Sequence, residues 1–216
     1  VPSPRLKICG LRRPAQAQAV AALGVDAVGV IAVSSSPRWL APDRRLELFQ
    51  AMAAGREGCR GVLVVADPED GLGAQLDGSR GHQVLQLHGR ESPSRCRELA
   101  AQTGCEIWKA LRIRCPEDLK RVEDYAGVVD AVLLDAWVPH QLGGSGQQIP
   151  TAWLAGFKPG LPWWLAGGVG PANAAALLKA FQPDGLDVSS GVESTPGEKD
   201  LNQVRALVEV VKGCSS

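Results

Sequence analysis

Two side chains in this sequence have types and settings suited to moving protons. Cys9 closes a short apolar run and is followed by Gly10. A thiol in that place can face a cavity, where a nearby positive charge would lower its pKa and make the thiolate a base or a nucleophile. The alternative is a buried, inert cysteine that packs as a small hydrophobe. Asp135 ends the run Val132, Leu133, Leu134. Burial beside such neighbours raises a carboxyl's pKa and lets it donate a proton near neutrality. The alternative is a cap for the following loop. Arg38 follows Ser36 and Pro37. Its planar guanidinium can grip a carboxylate through two hydrogen bonds, or it can lie solvated on the surface. Gln86 and His88 share the stretch 86–89, and the histidine is either a ligand contact or a satisfied core residue.

The glycines suggest an anion. Gly167 and Gly168 stand between an apolar run and a helical pattern, and Ser189, Ser190 and Gly191 follow another such run. Backbone N–H groups at these junctions can be aimed at a phosphate, and Gly191 lets the backbone come close. Tight turns are the plainer reading of each cluster alone. A third cluster, Gly143, Gly144, Ser145 and Gly146, is weaker because flexible loops share its composition.

Composition removes several classes of function. The 216 residues carry 23 basic and 23 acidic side chains, a net charge of +0. No global field is available to hold nucleic acid or an anionic membrane, so an anionic substrate must be held locally. No apolar run is long enough to span a bilayer, and the first residues lack the long apolar core of a secretory leader. The cysteines at 9, 59, 96, 105, 115 and 214 show neither a CxxC pair nor zinc-ligand spacing with histidine. Reduced thiols and a cytoplasmic setting are therefore expected, and no metal-ligand cluster is apparent.

Elements must bring these residues together. Short, continuously apolar runs at 6–9, 27–33, 61–66, 84–87, 106–111, 131–134, 163–166 and 185–188 read as strands buried on both faces of a parallel sheet. Helical patterns fall between them at 15–23, 43–54, 94–103, 117–125, 172–181 and 201–212. Pro14, Pro42, Pro68, Pro93, Pro116 and Pro171 precede helical patterns, as suits a residue whose missing N–H needs no partner there. Gly24 and Gly104 stand at the opposite ends. Residues 67–83 make a poor third helix and 136–160 are mostly loop. The rhythm predicts an α/β protein, a single-domain (β/α)8 (TIM) barrel over 1–216, against the rival of an open doubly wound sheet. In such barrels the active site lies at the C-terminal strand ends, with phosphate held after strands seven and eight. Cys9, Arg38, His88, Asp135 and both glycine clusters fall at those ends.

Together these segments resemble the phosphoribosylanthranilate isomerase family. The motifs are Lys-Ile-Cys-Gly-Leu (7–11), Ser-Pro-Arg (36–38), Gln-Leu-His-Gly (86–89), Leu-Leu-Asp (133–135), Gly-Gly-Ser-Gly (143–146), Leu-Ala-Gly-Gly (165–168), Asp-Val-Ser-Ser-Gly-Val-Glu (187–193) and Pro-Gly-Glu-Lys-Asp (196–200). Each is weak alone; in register over most of the chain they are specific. The resemblance implies an Amadori rearrangement of N-(5-phosphoribosyl)anthranilate in tryptophan biosynthesis, with no cofactor. It implies Asp135 as general acid, Cys9 as general base and Arg38 on the anthranilate carboxylate. Gln86, His88, Gly144, Ser145, Gly167, Gly168, Ser190 and Gly191 would bind the rest of the phosphorylated substrate. A monomer is expected. The chain departs from the family pattern at 147–153, which is longer, and at 30–33, where an aromatic is common. The neighbouring histidine-pathway isomerase usually places an aspartate where this chain has Cys9. The catalytic lysine and glutamate of indole-glycerol-phosphate synthase cannot be placed. A non-catalytic phosphate-binding barrel is a third reading, opposed by the presence of both Cys9 and Asp135.

Overall fold

The computed structural model describes residues 3–69, 76–138 and 146–214. Eight parallel strands close into a barrel: β1 (Arg5–Cys9), β2 (Ala27–Ile31), β3 (Arg60–Val65), β4 (Val84–Leu87), β5 (Glu106–Ile113), β6 (Ala131–Ala136), β7 (Trp163–Ala166) and β8 (Gly185–Val188). Each strand pairs with its successor, and β8 returns to β1 with Lys7 opposite Asp187. Continuous burial explains the unbroken apolar runs. One strand face looks into the barrel and the other lies under the helices, so neither face can be polar without a partner.

Size alternates inside the barrel. Trp108 and Trp164, on β5 and β7, meet with ring centroids 4.6 Å apart. The intervening even strands supply the space. A Cβ on Gly185 would lie 2.5 Å from the Trp164 ring, and one on Gly29 would lie 2.7 Å from the Cys9 Sγ and 3.1 Å from the Lys7 Cε. These glycines make room for large side chains on neighbouring strands, which is how layered barrel interiors fill.

Outside the strands run α1 (Pro14–Ala22), α2 (Pro42–Gly55), α3 (Pro93–Thr103), α4 (Ala174–Phe181) and α5 (Leu201–Gly213). Proline opens α1, α2 and α3. The Ser92 hydroxyl caps α3 by accepting from the Arg95 N–H, and Gly104 ends that helix in the left-handed region at φ 65°. Asp200 caps α5 through the N–H groups of Asn202 and Gln203.

Four expectations change. Pro116–Tyr125 forms a 3-10 helix, not an α-helix, and buries Leu119, Val122 and Tyr125. Their spacing of three residues aligns on one face only at three residues per turn. Pro171 does not open α4, which starts at Ala174, because Asn173 closes a turn by accepting from the Gly170 N–H and donating to the Gly168 carbonyl. Strand β2 stops at Ile31 rather than 33: the chain turns back, and the Leu40 N–H reaches the Ile31 carbonyl. Strands β5 and β6 run two residues further than expected, which puts Asp135 inside β6. Of residues 67–83, expected to make at best a poor third helix, 70–75 lie outside the described residues.

Candidate active site

A cavity opens at the C-terminal end of the barrel. Cys9 from β1, Gln86 and His88 from β4 and its loop, Asp135 from β6, and Arg38 from the loop after β2 all line it. The glycine clusters after β7 and β8 form the rest of its rim. The expected residues within the described chain therefore converge; Gly144 and Ser145 lie outside the described residues.

Cys9 sits two residues beyond Lys7 on the same inward face. The Lys7 Nζ is fully buried and donates to Asp187 Oδ1 at 2.8 Å. Burial pushes the Cys9 thiol above its ordinary pKa; Lys7 pulls it down, Asp187 pushes it up and Lys199 pulls more weakly. Burial dominates, so the resting thiol keeps its proton at neutral pH. Burial also lowers the Lys7 ammonium's pKa, but Asp187 and the ionised form of Cys9 favour the charge, and the net shift is upward, so Lys7 stays charged.

Asp135 is buried, with His88 Nε2 3.5 Å from its Oδ2. Gln86 Nε2 lies 3.4 Å from His88 Nδ1. Gln86 Oε1 and His88 Nε2 are buried without a hydrogen-bond partner. Native interiors rarely leave such atoms unpaired, so two of them on one cavity wall suit the polar atoms of a ligand. Gly167, at φ +83°, is what lets the Asp135 carboxyl sit where it does. A Cβ there would meet Gln147 O at 2.5 Å and Asp135 Oδ1 at 2.9 Å.

The three glycine segments also meet one another. A Cβ on Gly168 would lie 2.7 Å from Gly146 O, and one on Gly191 only 2.0 Å from Val169 O. The loops after β6, β7 and β8 are thus packed backbone to backbone. They bound a shallow concavity whose wall includes Gly168, Gly170, Asn173, Ser190, Gly191 and Gln203. Backbone-rich walls of this kind suit an anion held by N–H groups.

Arg38 differs from the sequence reading. Its guanidinium is not open on all sides: Nε donates to Glu193 Oε1 at 2.9 Å and Nη2 to Oε2 at 2.6 Å. Its stem crosses Gly10, where a Cβ would lie 2.6 Å from the Arg38 Cδ. Lys7, Asp187, Glu193 and Lys199 were not singled out from the sequence. Their signal was available, because a charge inside a strand buried on both faces, such as Lys7 or Asp187, needs a buried partner.

Fold and site together define a (β/α)8-barrel enzyme that sets a thiol and a carboxyl on one cavity beside a glycine-rich concavity. The model of the N-(5'phosphoribosyl)anthranilate (PRA) isomerase family matches residues 6–210. The chain belongs to that family. It is 46% identical over 206 residues to N-(5'-phosphoribosyl)anthranilate isomerase of Synechocystis sp., covering 94% of this chain and 93% of the relative. The Gloeobacter violaceus isomerase is 42% identical, covering 97% of this chain and 94% of its own. Among solved structures, the Thermotoga maritima phosphoribosyl anthranilate isomerase superposes with a TM-score of 0.86 at 26% identity, covering 97% and 99% of the two chains. A phosphoribosyl anthranilate isomerase in complex with reduced 1-(o-carboxyphenylamino)-1-deoxyribulose 5-phosphate superposes at 0.80 with 25% identity, covering 97% and 99%.

Proposed function

We propose that this cavity converts N-(5'-phosphoribosyl)anthranilate to 1-(2-carboxyphenylamino)-1-deoxy-D-ribulose 5-phosphate, a step of tryptophan biosynthesis, with Asp135 as acid and Cys9 as base. Asp135 protonates the furanose ring oxygen as the C1'–O bond breaks, and the nitrogen lone pair completes an iminium. The Cys9 thiol first gives its proton to solvent beside the Lys7 ammonium; the thiolate then takes the C2' proton, and the freed electron pair forms the enolamine. Ketonisation then adds a proton at C1' and removes one from the C2' hydroxyl, so the reaction gains and loses no proton overall. This chemistry needs one acid, one base and no cofactor. Arg38 binds the anthranilate carboxylate, and Gln86 and His88 supply polar contacts. The backbone at Gly167, Gly168, Ser190 and Gly191 holds the phosphate. The observation that carries the reading is the convergence of Cys9 and Asp135 on one cavity that also holds Arg38 and the glycine cradle.

The test is a fluorescence time course with substrate generated in situ. Wild type should consume the anthranilate signal, and folded Asp135→Asn should not; a folded wild type inert toward this substrate would overturn the reading. We read residues 1–216 as one domain, monomeric and cytoplasmic. Few large apolar side chains are exposed among the described residues (Trp39, Leu46 and Leu201), and all six thiols are unpaired. Light scattering tests the monomer, since a dimeric Thermotoga maritima isomerase is known. Among the described residues no helix is long and apolar enough to cross a membrane.

A further inference from the structure

Behind the cavity, a short hairpin after β8 carries two charges turned inward. Its strands are β9 (Glu193–Thr195) and β10 (Glu198–Lys199). Glu193 Oε1 accepts from Arg38 Nε at 2.9 Å, Lys199 Nζ at 2.6 Å and the Gly197 N–H at 3.1 Å. Its Oε2 accepts from Arg38 Nη2 at 2.6 Å. Lys199 Nζ also donates to the Ser189 carbonyl at 3.1 Å, and the Ser189 hydroxyl donates to the Cys9 carbonyl at 3.0 Å. The side chains of Arg38, Glu193 and Lys199 are all more than nine-tenths buried. The hairpin is thereby tied to the ends of both β8 and β1.

A guanidinium has two edges that can each hold a carboxylate: the side edge, Nε with Nη2, and the end edge, Nη1 with Nη2. Glu193 occupies the side edge. Among the described residues Arg38 Nη1 donates to no protein group, so the end edge is the one left to the cavity that Arg38 lines. Charge agrees with geometry. Arg38 and Lys199 bring two positive charges, Glu193 cancels one, and the single surplus matches one incoming carboxylate.

We propose that Glu193, braced by Lys199, is a positioning residue that fixes the edge Arg38 presents, and that this hairpin makes the site selective for a ligand bearing a carboxylate on its aromatic ring. The inference rests on the reading of Arg38 as that carboxylate's partner.

The experiment compares full-length wild type, Glu193→Gln, Arg38→Met and the double variant. The probes are reduced 1-(o-carboxyphenylamino)-1-deoxyribulose 5-phosphate and its phenylamino counterpart lacking the carboxylate. Steady-state kcat and KM are measured alongside. Glu193→Gln should weaken the carboxylate-bearing probe by roughly 10- to 100-fold, the scale of a misoriented binding group. It should leave the phenylamino probe within about twofold and act on KM more than on kcat. In the Arg38→Met background the Glu193 substitution should do nothing further. Unchanged discrimination in Glu193→Gln overturns the positioning role, and so does equal weakening of both probes, which would make the hairpin merely structural. Retained discrimination in Arg38→Met instead overturns the reading of Arg38 itself. If Glu193→Gln does not fold, Glu193→Asp keeps the charge while withdrawing it from the edge, and should show the same selective loss in smaller measure; equal loss on both probes there also overturns the proposal.

Discussion

Two lysines on the barrel strands are buried completely, and they are buried differently. Lys109 on β5 points outward, between strands and helices. Its Nζ has four acceptors: Glu91 Oε2 at 2.9 Å and the carbonyls of Leu87, Gly89 and Ala110. Glu91 in turn accepts from the N–H groups of Asp67 and Gly89, and its carbonyl accepts from the Tyr125 hydroxyl. An ammonium has three N–H donors, so every one of them is used. Lys7 on β1 points inward. Its Nζ bonds one carboxylate oxygen, of Asp187, and its remaining capacity faces Cys9. The first pair is a finished clamp that holds the loop carrying His88. The second keeps capacity beside Cys9, the thiol proposed as the base. The first lysine is saturated by protein groups; the second, on the proposed reading, keeps capacity for the thiol beside it.

Substitutions can break or sharpen that contrast. The largest effect on turnover belongs to the proposed acid and base: Asp135→Asn and Cys9→Ala should each lower kcat by about 10²- to 10⁴-fold or more, with thermal unfolding nearly unchanged. A near-normal kcat in either would remove that residue from the chemistry. Next comes the clamp. Lys109→Met strands Glu91 in the interior and should cost about 3–5 kcal/mol in denaturant unfolding. The double change Lys109→Met with Glu91→Leu should regain much of that loss, because the pair then leaves as a unit. If Lys109→Met were neutral, the clamp would not be structural.

Lys7→Met should be read first in the thiol. Without the ammonium, only the weaker pull of Lys199 opposes Asp187 and burial at Cys9, so its alkylation rate, followed by mass spectrometry, should rise only at still higher pH than in wild type. An unmoved profile would separate Lys7 from the thiol. Cys59 and Cys96, which burial lifts to about 11, serve as internal references. The smallest effect concerns Glu193. Burial pulls its carboxyl up, but Arg38 and Lys199 outweigh that and hold it below the ordinary glutamate range. A carboxyl depressed in the folded state adds stability above its unfolded pKa of about 4.3, and that contribution is lost as pH falls toward the folded value. The fall in unfolding free energy below about pH 4.3 should therefore be shallower in Glu193→Gln. An identical slope would show that the Arg38 pair contributes nothing to the pH dependence.

Much of the architecture was readable before any coordinates. Strands doubly buried in a barrel have no polar face, so continuous apolar runs marked all eight. Three of them, β4, β7 and β8, have the expected bounds. Proline and glycine marked the ends of α1 to α3 because their backbone restrictions are local. Errors arose where a neighbour in space decides the outcome. Asn173 holds the turn that delays α4, and the Leu40 N–H takes the Ile31 carbonyl and ends β2 early. The site was legible by residue type and position along the strands, but not by partner. Arg38 looked like an open carboxylate grip, and nothing local in residues 36–38 indicates that a glutamate 155 positions later takes one edge.

The sequence by itself determined the barrel class, the inward-facing candidates Cys9 and Asp135 and the glycine-rich rim. Those properties follow from hydrophobic pattern and backbone freedom, which act over a few residues. Only the tertiary structure decided which charges meet. Lys7 and Asp187 are 180 positions apart and touch because β8 closes onto β1. That closure sets the register of every inward side chain, and through it the burial and charge that tune Cys9.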